Sequence, residues 1–108
     1  MTALFEIRRY QARPGRRDEW VRYMEDVVVP YQQSKGMTVM ASFVDEDDKD
    51  GYVWIRRFED EDDRVALYAA TYEDPQWTDV IKPLVEDLLL IDRTVVTRVR
   101  PTPDSDLN

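Results

Sequence analysis

The sequence predicts an α+β fold, a single antiparallel sheet with helices, in the order βαββαβ. Three observations carry that expectation. Apolar side chains alternate with period two in three segments of the first 58 residues and in part of the last 20. Between them, apolar residues recur at helical spacing. All three glycines, Gly15, Gly36 and Gly51, fall at element boundaries. Strand, helix, strand, strand, helix, strand is the split βαβ arrangement, which places both helices on one face of the sheet.

Residues 3–11 open the chain as a strand, with Phe5 and Ile7 on one side and Glu6, Arg8 and Tyr10 on the other. Pro14-Gly15 ends it. Residues 16–34 carry Trp20, Met24, Val27, Val28 and Tyr31 as a helical stripe, with Pro30 expected to bend or stop the last turns before Gly36. Two β-rich segments follow, 37–44 and 52–58, joined by the acidic loop Asp45-Glu46-Asp47-Asp48-Lys49-Asp50-Gly51. Asp60, with Asp63 three residues on, is placed to cap a second helix bearing Val65, Leu67, Tyr68, Ala69 and Tyr72. Asp74-Pro75 interrupts it before a further helical piece with Trp77, Val80, Ile81, Leu84 and Val85. Residues 88–100 read as the last strand. The single domain therefore spans 3–101, and the polar stretch 102–108 is expected to be a disordered tail.

Composition then excludes chemistry. The 108 residues contain no cysteine and no histidine, which removes disulfides, thiolate nucleophiles, imidazole bases and histidine-ligated metals. Fifteen basic against 23 acidic residues give a formal net charge of -8, which opposes nucleic acid and anionic membranes alike. No apolar run approaches the roughly 20 residues of a membrane span, and the start Met1-Thr2-Ala3-Leu4-Phe5-Glu6 has no signal-peptide core. A cytoplasmic protein is expected, without metal or cofactor. Both faces of the second and third strands carry large apolar groups, so the face the helices leave bare needs a cover. A second copy of the sheet supplies it most simply, which predicts a homodimer through the sheet face.

Phe5-Glu6-Ile7-Arg8-Arg9-Tyr10, Arg13-Pro14-Gly15, Val29-Pro30, Gly36, Val53-Trp54-Ile55-Arg56-Arg57-Phe58 and Asp74-Pro75-Gln76-Trp77 together, in order and spacing, resemble the NIPSNAP family over nearly all of residues 3–101. The resemblance implies a ferredoxin-like fold of the dimeric α/β barrel group. NIPSNAP domains have been linked to vesicle trafficking and mitochondrial roles, while short single-domain members, which this chain resembles, have no assigned activity. Neighbouring groups on the fold include cofactor-independent monooxygenases, polyketide-processing and haem-degrading enzymes, among which fold alone does not choose.

Alternation gathers the candidate site residues. Glu6, Arg8 and Tyr10 share one side of the first strand, and Trp54 and Arg56 one side of the third. They are expected on the face away from the helices, as an aromatic-walled barrel pocket with a fixed cation that suits a carboxylate, phenolate or enolate. Equally, Glu6 pairs with an arginine as a structural ion pair. Tyr72 is a candidate ligand contact, whereas Tyr68 and Trp77 are expected in the core. The acidic loop fails as a calcium site in both registers, since Lys49 or Arg57 falls where a ligand is required.

Two functions follow. The first is a small-molecule binder or enzyme, with an aromatic or acidic ligand between the sheet and the second helix, oriented by Arg8 or Arg56. Catalysis would be cofactor-independent and monooxygenase-like, with Glu6 as base provided burial raises its pKa. The second is a non-catalytic dimeric interaction module with a packed barrel and an acidic rim.

Overall fold

The computed structural model describes residues 3–108; Met1 and Thr2, at the start of the segment read for a signal peptide, lie outside the described residues. Four strands form one sheet: β1 (Leu4–Gln11), β2 (Thr38–Val44), β3 (Gly51–Phe58) and β4 (Val95–Val99), in the order β2-β3-β1-β4. Every neighbouring pair is antiparallel. The chain thus has the ferredoxin-like order that its element sequence predicts. In the central pair, Glu6 stands opposite Arg56, Arg8 opposite Trp54 and Tyr10 opposite Tyr52. The period-two pattern of each strand fixes this register, because a one-residue slip would exchange the two faces.

Helix α1 (Arg17–Tyr23), a π-helical turn (Met24–Val28) and α2 (Val29–Ser34) run on as one helical rod. Pro30 neither stops nor ends it. The Val29 N–H bonds to the Met24 carbonyl five residues back, and this wide turn makes room for a ring that would collide with the carbonyl four residues back in a regular helix. The pattern recurs after α3 (Glu61–Tyr72). A π-helical turn (Gln76–Ile81) leads into α4 (Lys82–Leu88), the Lys82 N–H bonds to the Trp77 carbonyl, and Pro83 comes next. Helix α3 begins as its sequence predicts. Asp60 accepts from the Asp63 N–H at 2.8 Å, and Asp63 accepts from the Glu59 N–H at 2.9 Å; such a cap contributes about 1 kcal/mol.

The last strand is shorter than expected. Leu88 ends α4, Leu89 bridges to Ala12, and a 3-10 turn (Ile91–Arg93) precedes β4. Leu88 and Leu89 are both fully buried in the main core cluster. An apolar run of this length is consistent with either helix or strand, and packing under Ala12 decides it.

The helices cover the face that carries Leu4, Glu6, Arg8 and Tyr10 of β1 with Tyr52, Trp54, Arg56 and Phe58 of β3. Tyr10, Tyr52 and Trp54 pack there with Trp20, Met24, Val28, Ile81 and Val85, and Leu4 and Phe58 with Met37, Leu67 and Tyr68. The predicted polar cluster therefore lies under the helices rather than on the face away from them. Alternation sorts residues into two sets but is symmetric with respect to which set the helices take.

The opposite face carries Ile7, Ala41, Phe43, Val53, Ile55, Val95 and Val99, with Phe43 53% and Val95 55% exposed. Part of it is met by the end of the chain. Ser105 and Leu107 border a hollow with Phe5, Ile7 and Ile55, and Arg57 Nε donates to the Asn108 backbone oxygen at 2.6 Å.

Candidate functional site

The site starts from two charged residues placed where a sheet core would be apolar. Glu6 and Arg56 face each other across the β1–β3 ladder, 1% and 0% exposed. Arg56 Nη2 donates to Glu6 Oε1 at 2.7 Å and to the Tyr68 hydroxyl at 2.9 Å. Its Nη1 donates to Gln32 Oε1 at 2.9 Å and to the Tyr72 hydroxyl at 2.6 Å. Tyr68 in turn donates to Glu6 Oε2 at 2.5 Å. The guanidinium also lies over the Trp54 ring, 4.9 Å from its centroid. Burying an ion pair costs several kcal/mol per charge unless further hydrogen bonds satisfy it, and here tyrosines of α3 and a glutamine of α2 supply them to the two terminal nitrogens of Arg56, whose Nε–H is buried without an acceptor.

Burial raises the Glu6 carboxyl, but the Tyr68 hydrogen bond and the charge of Arg56 outweigh it and hold the group below the usual carboxylate range. Burial pushes the Tyr68 phenol up to about 12. Glu6 is thus an ionised, fully engaged acceptor. It has neither the raised pKa nor the free oxygen that a base role requires.

Arg8 sits beside this network and is bound into it only in part. Its Nε donates to the Tyr10 hydroxyl at 2.8 Å, its Nη1 to the Tyr68 hydroxyl at 3.3 Å, and Nη1 stands 3.5 Å from Glu6 Oε1. Beyond Arg8 opens a cleft of about 200 Å³ between the sheet and the helices. Arg8, Tyr10 and Tyr72 form its polar end, and Trp20, Trp54 and Trp77 stand among apolar walls that include Val28 and Val85. These are all three tryptophans of the chain. The indole N–H groups of Trp20 and Trp54 are buried without an acceptor.

Of the six residues the sequence singles out, Arg8, Tyr10, Trp54 and Tyr72 border the cleft, while Glu6 and Arg56 lie beneath as the ion pair. Tyr68, expected as core, is a hub of the polar network. Trp77, also expected as core, lines the cleft and packs edge-on against Tyr72, 4.9 Å between ring centroids. Sequence reasoning missed Gln32. Its signal is its spacing, since it continues the series Trp20, Met24, Val28 at intervals of four, and all four are buried to 2% exposure or less.

The acidic loop holds a cation of its own chain. Arg17 Nη1 donates to the carbonyls of Asp45 at 2.9 Å, Asp48 at 2.7 Å and Gly51 at 3.4 Å. Asp45 Oδ1 caps the Asp47 and Asp48 N–H groups, and Oδ2 pairs with Arg9 at 2.8 Å. Among the described residues no group of three or more acidic side chains is arranged to hold a metal ion. None of their helices is long and apolar enough to cross a membrane.

Fold and site together define a ferredoxin-like α+β domain with a buried arginine–carboxylate–tyrosine network beneath an aromatic cleft. The NIPSNAP family model matches residues 5–106, and the chain belongs to that family. It is similar to a NIPSNAP family protein of unknown function from Agrobacterium tumefaciens, with 25% identity over 99% of this chain and 95% of that one and a TM-score of 0.87. A second Agrobacterium tumefaciens NIPSNAP family protein is 19% identical, covering 96% of this chain and 90% of that one, at a TM-score of 0.85. An uncharacterised NIPSNAP-like domain protein from Burkholderia xenovorans is 22% identical, covering 96% and 89%, with a TM-score of 0.85. None of the curated proteins compared matches the chain.

Proposed function

We propose that this NIPSNAP chain binds a small, flat, largely apolar molecule in the cleft between sheet and helices. One observation carries the reading: a cleft of about 200 Å³ in which aromatic walls meet a polar end made by Arg8, Tyr10 and Tyr72. Ligand sites combine apolar walls with a few convergent polar groups in this way. An apolar cavity of about 150 Å³ admits benzene, so this one suits a single ring with a short substituent. The role is binding rather than catalysis by Glu6, whose oxygens are already taken by Arg56 and Tyr68. An interaction module with a solidly packed interior fits the cleft less well.

A homodimer through the uncovered sheet face belongs to the same proposal. Its support is the apolar surface of Phe43, Val53, Ile55 and Val95, which water would otherwise meet. A cytoplasmic location is proposed with it, on the cysteine-free composition.

Intrinsic fluorescence tests the binding reading directly, because every tryptophan borders the cleft. Titration with phenylacetate, cinnamate and their amides is expected to change the emission saturably. Val28→Phe, which fills the cleft from the helix side, should abolish the change while leaving the far-UV spectrum intact. Emission unaffected by all four compounds would remove the proposal.

A further inference from the structure

We infer that the head group this cleft receives is a carboxylate, bound by Arg8 with Tyr10 and Tyr72 as neutral donors. The inference rests on the reading of the cleft as a ligand site and goes beyond it to the charge of the ligand. It follows from counting hydrogen-bonding capacity at the polar end.

Tyr68 is saturated. Its hydroxyl donates to Glu6 and accepts from Arg56 and Arg8. Both oxygens of Glu6 are engaged, and both terminal nitrogens of Arg56 make two hydrogen bonds to oxygen each. Tyr72 already accepts twice, from Arg56 Nη1 and from Gln32 Nε2 at 3.2 Å, so its hydroxyl has only its proton left to offer. Tyr10 accepts from Arg8 Nε, and its own proton has no acceptor among the described residues. Burial keeps the Tyr10 phenol protonated by raising its pKa. Arg8 Nη2 makes no hydrogen bond among them either. Arg8, Tyr10 and Tyr72 therefore present three donor groups to the cleft, one of them cationic, and the other polar groups that border it are Gln32, whose amide is engaged with Arg56 and Tyr72, and Thr94.

The charge balance points the same way. One carboxylate, Glu6, is shared by two guanidinium groups, at 2.7 Å from Arg56 and at 3.5 Å from Arg8. Among the described residues Arg8 has no other acidic partner, and its side chain is only 17% exposed. A half-occluded cluster with one unbalanced positive charge favours an anion, since pairing recovers what desolvation of Arg8 has cost. A carboxylate can accept from Arg8 Nη2 through one oxygen and from a tyrosine hydroxyl through the other. The apolar remainder of the ligand then lies along the tryptophans. A cationic head group would meet the charge of Arg8 and two hydroxyl protons.

The experiment compares isosteric heads on one ring. Phenylacetate and phenylacetamide are titrated into the full chain by tryptophan fluorescence and by calorimetry, with phenethylamine as the cationic counterpart. The carboxylate is expected to bind at least about tenfold more tightly than the amide, and the amine not at all. Arg8→Gln should erase the difference between acid and amide, and Arg8→Lys, which keeps the charge, should retain a preference for the acid. Far-UV spectra and denaturation midpoints establish that both variants are folded. Tyr10→Phe, which leaves the charge of Arg8 in place, gives a second reading, a several-fold loss for phenylacetate only. Equal binding of acid and amide to the wild-type chain overturns the carboxylate inference while leaving the cleft a ligand site. A preference for the acid that survives Arg8→Gln overturns it as well. Failure of every compound, alongside an inert Val28→Phe control, overturns the cleft reading and this inference with it.

Discussion

Glu6 and Arg56 occupy directly opposed positions of the β1–β3 ladder and form a 2.7 Å ion pair with side chains 2% and 0% exposed. A sheet core that needed only stability would be served as well by two apolar residues of similar size. The pair instead ties the sheet to α3 through Tyr68 and Tyr72 and to α2 through Gln32. It also holds Tyr72, one of the cleft donors, by its hydroxyl oxygen.

Removing one partner should be far more damaging than removing both. Arg56→Met leaves an uncompensated carboxylate in the core and is expected to destabilise the fold by about 3–5 kcal/mol. The double variant Glu6→Gln with Arg56→Met should recover a substantial part of that loss. Urea denaturation of the three chains measures it, and a double variant less stable than Arg56→Met alone would contradict the account.

The same network sets two pH limits. The folded-state pKa of Glu6 is lowered from 4.5, so below that value the unfolded chain binds the extra proton first. Glu6 therefore contributes stability that is complete above its ordinary range and lost as pH falls through the folded pKa. Tyr68 acts in the opposite direction. Its folded pKa is raised from 10.0 to about 12, so its contribution is complete below pH 10.0 and is lost as pH climbs toward the raised value. Denaturation midpoints across pH should show both slopes, and Glu6→Gln should flatten the acidic one.

The two faces of the sheet are separable by mutation. Trp54 is 1% exposed beneath the helices, so Trp54→Asp is expected to unfold the chain by burying a charge without a partner. Phe43→Asp, on the uncovered face, should leave the fold intact and shift sedimentation from dimer to monomer. A wild-type chain that sediments as a monomer at micromolar concentration would sink the proposed dimer.

Arg17 closes the β2–β3 loop by holding three carbonyls. Arg17→Ala should cost about 1–2 kcal/mol and speed hydrogen exchange of the Asp45 and Gly51 amides, which bond to the Gly51 and Asp48 carbonyls across the loop. Exchange elsewhere in the sheet should change little, since the ladder itself is untouched.

Most of the fold was legible because strand alternation, the Asp60 cap and the glycine boundaries all act locally. Leu88 and Leu89 lie outside that reach because a short apolar run carries no period of its own. The facing of Glu6, Arg8 and Arg56 is not written locally either. Alternation states which residues share a face, while the covering helices are a long-range event. Tyr68 and Gln32 were hidden by their neighbours, as polar groups set at spacings that otherwise mark core. Their role depends on Arg56 arriving from another element, which no local pattern records.

The π-helical turn at Met24–Val28 also sets the phase of everything after it. In a regular helix, positions four apart drift by about 40° per step, so Gln32 would wander off the line begun by Trp20. The wider turn takes up that drift, and all four residues of the series stay buried. Were the same residues wound as an ordinary helix instead, α2 would be rotated by about 100° relative to α1. Gln32 would then leave Arg56, and Tyr72 would lose a donor that orients its hydroxyl. The winding of one helical turn is thus a dial on the chemistry of the cleft, although none of the residues in the dial except Met24 and Val28 touches it.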